Sequence, residues 1–183
     1  MKLLQGQLLV ASPHLEDPNF ARSVILLIQH GEDGTFGLVL NRPIDKTIQE
    51  LWQEVEEAPC VSRQHINLGG PVSGPLMALH TEQPLGEIEI LPGVYFSAQK
   101  EHLEDLVQRP NVQLKLFIGH SGWSEGQLES EMDQGAWLVA PATAAYIFLA
   151  EEELWPQVSR QIGAAVLATS LKIKHVPDDP SVN

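Results

Sequence analysis

The chain is poor in cysteine and in long apolar runs, and both shortages limit what the protein can be. Cys60 is the single cysteine among 183 residues, so an internal disulfide is excluded and a reducing compartment is favoured. No run approaches the roughly 20 apolar residues that a membrane-spanning helix needs. Residues 1–4 begin like a signal peptide, but Gln5, Gly6 and Gln7 interrupt the apolar stretch. We therefore expect a cytoplasmic protein that does not associate with membranes.

Basic residues are also scarce, and their shortage bears on nucleic-acid binding. The chain has 11 lysines and arginines against 24 aspartates and glutamates, which gives a net charge of −13. Lys172 and Lys174 are the only close pair of lysines, and the sequence has no basic stripe. Duplex binding draws much of its affinity from basic side chains that neutralise phosphates. Direct nucleic-acid binding is therefore not expected, and solubility is the simpler explanation of the acidity.

The sequence also lacks recognisable metal and nucleotide motifs. Its seven histidines include no His-x-His pair and no helical pair four residues apart, so neither a metal site nor a cofactor is expected. The glycine-rich segment Gly69, Gly70, Pro71 and Val72 is not followed by Lys, Ser or Thr at phosphate-loop spacing. Its backbone N–H groups could still face an anion. A tight turn that packs against Trp123 is the simpler interpretation of this loop.

The centre of the sequence is residues 22–43. Two unbroken apolar runs, at residues 24–28 and 36–40, are joined by a segment that contains Gly31, Asp33 and Gly34. These residue types accept the positive φ that a chain reversal needs, so the pattern predicts a β-hairpin. Neither run alternates between apolar and polar residues. We therefore expect both faces of the hairpin to be covered and the hairpin to lie at the centre of the sheet.

Short strands and helices are interleaved along the rest of the chain. Thr47 and Glu50 match a capping box before a helix with one apolar stripe. The other predicted strands are residues 7–11, 65–68, 76–80, 88–91, 94–97, 112–118, 136–140 and 171–174. The other predicted helices are residues 97–109, with Ser97 as the N-cap, 124–133, 143–150 and 155–162. Without a regular βαβ alternation, this order predicts an α+β domain at residues 1–176 with a mixed, strongly curved sheet, followed by a frayed tail at 177–183.

Several ordered motifs resemble those of one bacterial family. The motifs are residues 11–13 (Ala-Ser-Pro), 17–24 (Asp-Pro-x-Phe-x-Arg-Ser-Val), 37–43 (Gly-Leu-Val-Leu-Asn-Arg-Pro), 69–72 and 122–131 (Gly-Trp-x-x-Gly-Gln-Leu-Glu-x-Glu). Over residues 3–163 the chain is similar to the AlgH/YqgE family. The resemblance implies α+β architecture with mixed, strongly coiled and bifurcated β-sheets and a few packed helices. Most members are uncharacterised, and some are labelled as transcriptional regulators.

Ser121 suggests one alternative, a serine hydrolase. A strand, a serine in a tight turn and a helix form a nucleophile elbow, and residues 112–133 fit that order. Asp133 and His175 follow in the order that a catalytic triad requires. However, Trp123 stands where the elbow needs glycine, and the resembling family more often has alanine at position 121. A structural turn is the competing interpretation, and no residue is assigned a catalytic role.

Three carboxylates lie on one face of the helix predicted after Ser124. Glu125, Glu129 and Asp133 are spaced four residues apart, which suits either a solvated face or a cation site. The solvated face is the simpler interpretation for Glu125 and Asp133. Glu129 belongs to the family motif, and we expect it to pair with Arg22 or Arg42, because an arginine beside a buried strand needs a carboxylate or several carbonyls.

The motif residues together predict a binding groove. If they converge in space, they give a site with apolar walls and few polar groups, the usual composition of a binding site. The predicted lining is Arg22, Asn41, Arg42, Gly69, Gly70, Pro71, Trp123, Gln127 and Glu129. We therefore predict a non-enzymatic binding or transcriptional-regulatory module that holds a protein segment or a small anion. The oligomeric state, including a homo-oligomer, is left open.

Overall fold

The computed structural model describes residues 4–55, 60 and 62–170. The predicted strand at 171–174, His175 and the tail at 177–183 lie outside the described residues, so the domain boundary at residue 176 stays a prediction. The strands in the described part are β1 (Gln7–Ala11), β2 (Val24–Gly31), β3 (Gly34–Val39), β4 (Pro43–Thr47), β5 (His65–Leu68), β6 (Val72–His80), β7 (Ile88–Leu91), β8 (Val94–Ser97), β9 (Leu114–Trp123) and β10 (Trp137–Pro141). The helices are α1 (Ile48–Val55), α2 (Lys100–Gln108), α3 (Gln127–Asp133), α4 (Ala144–Ile147) and α5 (Glu151–Ser170), with a 3₁₀ turn at Gln83–Leu85.

The hairpin β2–β3 forms as the apolar runs predict. Its strands pair antiparallel, and Ile25 lies opposite Val39. Leu26 is fully buried in a core that includes α5, whereas its neighbour Ile25 is fully buried in a second core on the other face. Successive residues of a strand point to opposite faces, so an unbroken apolar run is what a strand between two cores requires. The prediction that both faces are covered is confirmed.

The sheet divides at β9. One edge of β9 pairs antiparallel with β3, where Trp123 faces Thr35, and pairs parallel with β5, where Phe117 faces Asn67. Its other edge pairs with β6. The main strand order is β10-β1-β2-β3-β9-β6-β8-β7, with β4 beside β5. The predicted mixed and bifurcated α+β architecture is confirmed.

The sheet also curls into a half-barrel. A Cβ atom added to Gly6, next to β1, would lie 2.7 Å from the carbonyl oxygen of Ile90 in β7. β1 and β7 are far apart in strand order, so this close approach shows that the sheet bends back on itself. Leu154 and Val158 of α5 are fully buried in the core inside the curl. The helix therefore fills the concave side.

Helix boundaries follow the capping signals only in part. Thr47 and Glu50 form the predicted capping box: the Thr47 backbone N–H donates to Glu50 Oε2 at 2.7 Å, and the Glu50 N–H donates to Thr47 Oγ1 at 3.2 Å. The N-cap of α2 is Gln99, whereas Ser97 ends β8, so that boundary prediction is wrong. The helix predicted from residue 155 begins at Glu151, which places Pro156 inside α5 rather than in its first turn.

The strand predicted at residues 112–118 is longer than expected, and its second face is more buried than expected. The structure has β9 at Leu114–Trp123, so the strand includes Ser121 and continues to Trp123. Lys115 is only 6% exposed, although its alternation with Leu114 and Leu116 predicts a wetter face. Alternation of apolar and polar residues indicates that the two faces of a strand differ in polarity. It does not reveal that the segment before α5 covers the polar face of β9.

Candidate functional site

The open end of the central hairpin carries an unusual backbone conformation at Arg22. Its φ is +57°, and among the described residues no other non-glycine residue has a positive φ. Asn41, which follows β3, holds this conformation from both sides. Its Nδ2 donates to the Arg22 carbonyl oxygen at 2.9 Å, and its Oδ1 accepts from the Val24 N–H at 2.9 Å. Strained residues of this kind cost free energy and often mark functional sites.

Two guanidinium groups face a groove beside this turn. Arg42 donates to the Ala21 carbonyl oxygen, and the Arg22 guanidinium carbon lies 5.9 Å from the centre of the Trp155 ring. Within the described part of the chain, neither arginine has a carboxylate within 4.0 Å. The groove measures about 350 Å³, and we call it the arginine groove. Its lining is Arg22, Asn41, Arg42, Pro43, Glu151, Glu152, Trp155 and Pro156.

A larger cleft of about 830 Å³ adjoins the arginine groove, and Lys115 and Glu151 contribute to its lining. Lys115 Nζ lies 3.1 Å from Glu151 Oε1 and donates to the carbonyl oxygens of Leu40 at 3.3 Å and Leu149 at 3.1 Å. The three ammonium hydrogens therefore have acceptors inside the protein. This lysine joins the end of the hairpin to the segment before α5, so its charge is not free to hold a ligand.

Burial and pairing act in opposite directions on this ion pair. Burial lowers the pKa of Lys115, and the Glu151 carboxylate opposes that change. Burial alone would raise the pKa of Glu151, but the charge of Lys115 and hydrogen bonds that include Asn67 lower it overall. Asn67 Nδ2 donates to Glu151 Oε1 at 3.3 Å, while its fully buried Oδ1 has no partner among the described residues. Pairing and hydrogen bonding thus favour the charged forms of both groups, while burial opposes them.

The structure does not bring the predicted site residues into one groove. Arg22, Asn41 and Arg42 lie at the open end of the hairpin, whereas Trp123 pairs with Thr35 at its turn end. At about 3.3 Å per residue along a strand, the two ends are about 20 Å apart. A separate groove of about 380 Å³, lined in part by Thr35 and Trp123, lies at the turn end. The single-groove geometry predicted from the motifs is therefore wrong.

Trp123 and Gln127 belong to a hydrogen-bond network around Glu131. The Glu131 carboxylate accepts from the indole N–H of Trp123 at 2.9 Å and from that of Trp137 at 2.8 Å. Gln127 donates to the other oxygen of Glu131 at 3.0 Å and accepts from the Ser124 N–H at 3.1 Å. These contacts fix α3 against the sheet, so the spacing of this motif has a structural explanation.

Glu129 pairs with a histidine rather than with an arginine. His30 Nε2 donates to Glu129 Oε1 at 3.0 Å, and His30 Nδ1 accepts from the Leu4 N–H at 3.3 Å. The backbone N–H of Glu129 itself and the contact with His30 lower the pKa of the Glu129 carboxyl group. The predicted pairing with Arg22 or Arg42 is wrong, because α3 lies beside the turn end of the hairpin and both arginines lie at the open end.

Gly69 and Gly70 let the β5–β6 connection cross β9 at very short range. A Cβ atom on Gly69 would lie 2.3 Å from the carbonyl oxygen of Gly119, and one on Gly70 would lie 2.2 Å from the carbonyl carbon of His120. The next residue, Pro71, is exposed. The tight turn was predicted, but it packs against the backbone of β9 instead of Trp123.

Ser121 lacks the geometry of a nucleophile. It lies in extended β9 opposite Gly37, and it is fully buried. Its Oγ donates to the Gly69 carbonyl oxygen at 3.1 Å. A nucleophile elbow needs an exposed oxygen on a sharp turn before a helix. The structure therefore contradicts the nucleophile elbow on which the hydrolase alternative depends. Ser121 instead joins β9 to the β5–β6 connection, which we call the glycine loop.

Residues 8–167 match a family model described as AlgH-like. The chain belongs to this family. A UPF0301 protein of Myxococcus xanthus is 39% identical over 169 residues, which is 89% of this chain and 93% of that protein. A UPF0301 protein of Chlorobaculum tepidum is 34% identical over 168 residues, which is 88% of each chain. The family resemblance noted from the motifs is thereby confirmed.

Two solved structures of bacterial proteins share the fold. The solution structure of AlgH from Pseudomonas aeruginosa superposes with a TM-score of 0.68 and 29% identity over 97% of both chains. The crystal structure of a Corynebacterium diphtheriae protein superposes with a TM-score of 0.70 and 28% identity over 88% of both chains. In the described part of this chain, no helix has the length and apolar character needed to cross a bilayer.

Sequence reasoning missed three residues that line the two cavities, Lys115, Glu151 and Trp155, and it missed Asn67, which hydrogen-bonds Glu151. Lys115 lies on β9, Asn67 on β5, and Glu151 and Trp155 on α5, and only folding brings these three elements together. Asn67 alone carried a usable signal, because an amide inside an apolar strand needs buried hydrogen-bond partners. Trp155 comes two residues after three consecutive glutamates and directly before a proline, a context that predicts a solvated helix start rather than the wall of a binding site.

Proposed function

We propose that this AlgH-like protein is a non-enzymatic binding module that holds an anionic group in the arginine groove. The observation that carries the proposal is the turn at Arg22. The side chain of Asn41 keeps a strained arginine in place beside Trp155, and no described carboxylate neutralises that arginine. A guanidinium group presents five N–H donors in a planar fork that suits carboxylate or phosphate. Arg42 adds a second guanidinium on the same groove.

The net charge limits the kind of partner. At −13 the chain repels polyanions at long range, and two arginines give one small basic spot. A regulatory role in transcription, which the family label suggests, would therefore act through a protein partner or a small anion in the cytoplasm rather than through contact with DNA.

Titration with sodium phosphate and sodium acetate, followed by NMR, tests the proposal. The indole N–H of Trp155, which donates to the Ala11 carbonyl oxygen at 3.0 Å, reports on the groove, and the indole of Trp123 reports on the distant turn end. We expect saturable shifts at Trp155 and an affinity about tenfold lower in Arg22→Gln, since a hydrogen bond to a charged group contributes about 1.5 kcal/mol or more.

Arg63→Gln is the matched control, because Arg63 is exposed and does not line the groove. It makes the same change in net charge and should leave the affinity within about twofold, which is the size of a screened long-range effect. Equal affinity in wild type and Arg22→Gln, or shifts confined to Trp123, would contradict the proposal.

A further inference from the structure

The arginine groove and the larger cleft adjoin each other, and we call the two together the channel. Both cavities are lined by Pro43, Glu151 and Glu152, so a ligand held at Arg22 and Arg42 can extend past these residues. The inference below rests on the proposed anion site and concerns what is attached to the anion. A free anion would occupy only the smaller cavity, whereas the combined channel has room for a ligand of several residues.

The charge available to a ligand changes sign along this channel. Arg22 and Arg42 line the narrow end. In the wide part, Lys115 is 6% exposed, and its ammonium group donates its hydrogens to acceptors within the protein. Glu151 is paired with Lys115. The exposed charges that remain on the wide part are the carboxylates of Asp45 and Glu152. A complementary ligand is therefore negative at one end and positive further along.

The walls of the wide part are apolar between these charges. Ile44, Val112 and Phe148 are partly buried and line the cleft. His65 completes one side, with its ring held by a hydrogen bond between Nδ1 and the Ile44 carbonyl oxygen at 2.9 Å. Such walls accommodate an aliphatic side chain of a ligand.

We propose that the channel binds the C-terminal segment of a basic polypeptide. The α-carboxylate lies between Arg22 and Arg42, an aliphatic side chain packs on Phe148, and lysine or arginine side chains lie beside Glu152 and Asp45. Capture of a terminal carboxylate is an established mode of peptide recognition. A nucleotide polyphosphate is disfavoured because its further negative charges would face the two carboxylates, and an acidic peptide is disfavoured for the same reason. The chain's own charge of −13 also attracts a basic partner.

Three synthetic peptides test this inference by calorimetry at low salt. The first is acetyl-Gly-Lys-Leu-Lys-Leu-Val with a free carboxyl end, the second is its C-terminal amide, and the third replaces both lysines with glutamate. We expect the amide to bind about tenfold more weakly, because a charged hydrogen-bond partner is lost. The glutamate peptide should bind at least tenfold more weakly, because two attractions become repulsions. Equal binding of all three peptides would overturn the inference.

Variants of the protein test where the basic side chains of the peptide lie in the channel. Glu152→Gln should weaken the free-acid lysine peptide about threefold, the effect of one exposed ion pair, and should strengthen acetate binding, because Glu152 also lines the arginine groove and its negative charge opposes an anion there. Glu153→Gln is the matched control, since Glu153 is the next residue on α5 and does not line either cavity. Equal losses in both variants would overturn the placement of the peptide.

The two proposals fail in distinguishable ways. If acetate and phosphate bind at Trp155 but the lysine peptide binds no more tightly than acetate, the anion site stands and the peptide inference is wrong. If neither the anions nor the peptides shift Trp155, the proposed function itself is wrong and the peptide inference is overturned with it.

Discussion

The side-chain amide of Asn41 donates to the carbonyl oxygen of Arg22 at 2.9 Å, across the open end of the central hairpin. The same side chain accepts from the N–H of Val24, so one residue fixes the backbone on both sides of Ser23. Arg22 thereby remains at a φ of +57°, where a side chain with a Cβ atom costs roughly 1 kcal/mol. The fold accepts this cost while presenting a guanidinium beside Trp155.

Substitutions at Arg22 should separate stability from binding. We expect Arg22→Gly to be more stable to urea than Arg22→Ala by roughly 1 kcal/mol, because only glycine relaxes at a positive φ. At exposed Arg63, whose φ is not positive, the order should reverse and alanine should be the more stable variant. Both Arg22 variants should lose affinity for phosphate to the same extent. Equal stability of the two Arg22 variants would show that the conformation costs nothing.

Removal of the Glu131 carboxylate should loosen the contact between α3 and the sheet. Glu131→Ala leaves the buried indole N–H groups of Trp123 and Trp137 without their acceptor, so we expect a loss of about 2–4 kcal/mol in the free energy of unfolding. Tryptophan fluorescence should shift to longer wavelength as water reaches the rings. Glu125→Ala, at an exposed position before the same helix, should change stability by less than about 0.5 kcal/mol. Similar losses in the two variants would contradict the network.

The central hairpin could be predicted because its evidence is local. Unbroken apolar runs at residues 24–28 and 36–40 are what a strand between two cores requires, and the Thr47–Glu50 capping box begins a helix as expected. The bifurcated sheet required the family resemblance, since nothing in the sequence of β9 indicates that β3 and β5 share one of its edges.

Only part of the site could be predicted, because the register between paired strands depends on residues that are far apart in the sequence. Arg42 and Trp123 belong to motifs that suggest one groove, yet the pairing of Trp123 with Thr35 separates them by the length of a strand. Likewise, no local signal shows that Lys115 is covered by the segment before α5 or that His30 is the partner of Glu129. Residues in one family motif need not share one site.

A buried histidine predicts how stability varies with pH. His80 Nε2 donates to Ser97 Oγ at 2.9 Å and Nδ1 accepts from the Glu82 N–H at 3.2 Å, so the folded state holds the neutral ring. Burial lowers the pKa of His80 to about 4, assisted by His102 and opposed by the charges of Glu82 and Glu87. The unfolded chain binds this proton near pH 6.5 and the folded chain does not, so stability is lost as the pH falls from 6.5 to 4.

The measurement is urea unfolding at pH 7.5 and pH 5. The His80 contribution to the loss between these values is about 2 kcal/mol. We expect His80→Gln to start less stable at pH 7.5 and to lose correspondingly less on acidification. His14→Gln, at an exposed position, should lose as much as wild type. A His80→Gln variant with the wild-type pH dependence would show that His80 does not remain neutral in the folded state.

Two glycine-to-alanine substitutions should have opposite effects on stability. A Cβ atom at Gly70 would lie 2.2 Å from the carbonyl carbon of His120, so the β5–β6 connection and β9 must separate, and we expect a loss of more than about 3 kcal/mol. Gly163 lies in α5 with open space around its Cβ position, so alanine there should add about 0.5–1 kcal/mol through helix propensity. Thermal unfolding of both variants measures the two effects. A Gly70→Ala protein as stable as wild type would mean that the glycine loop does not cross β9 at this distance.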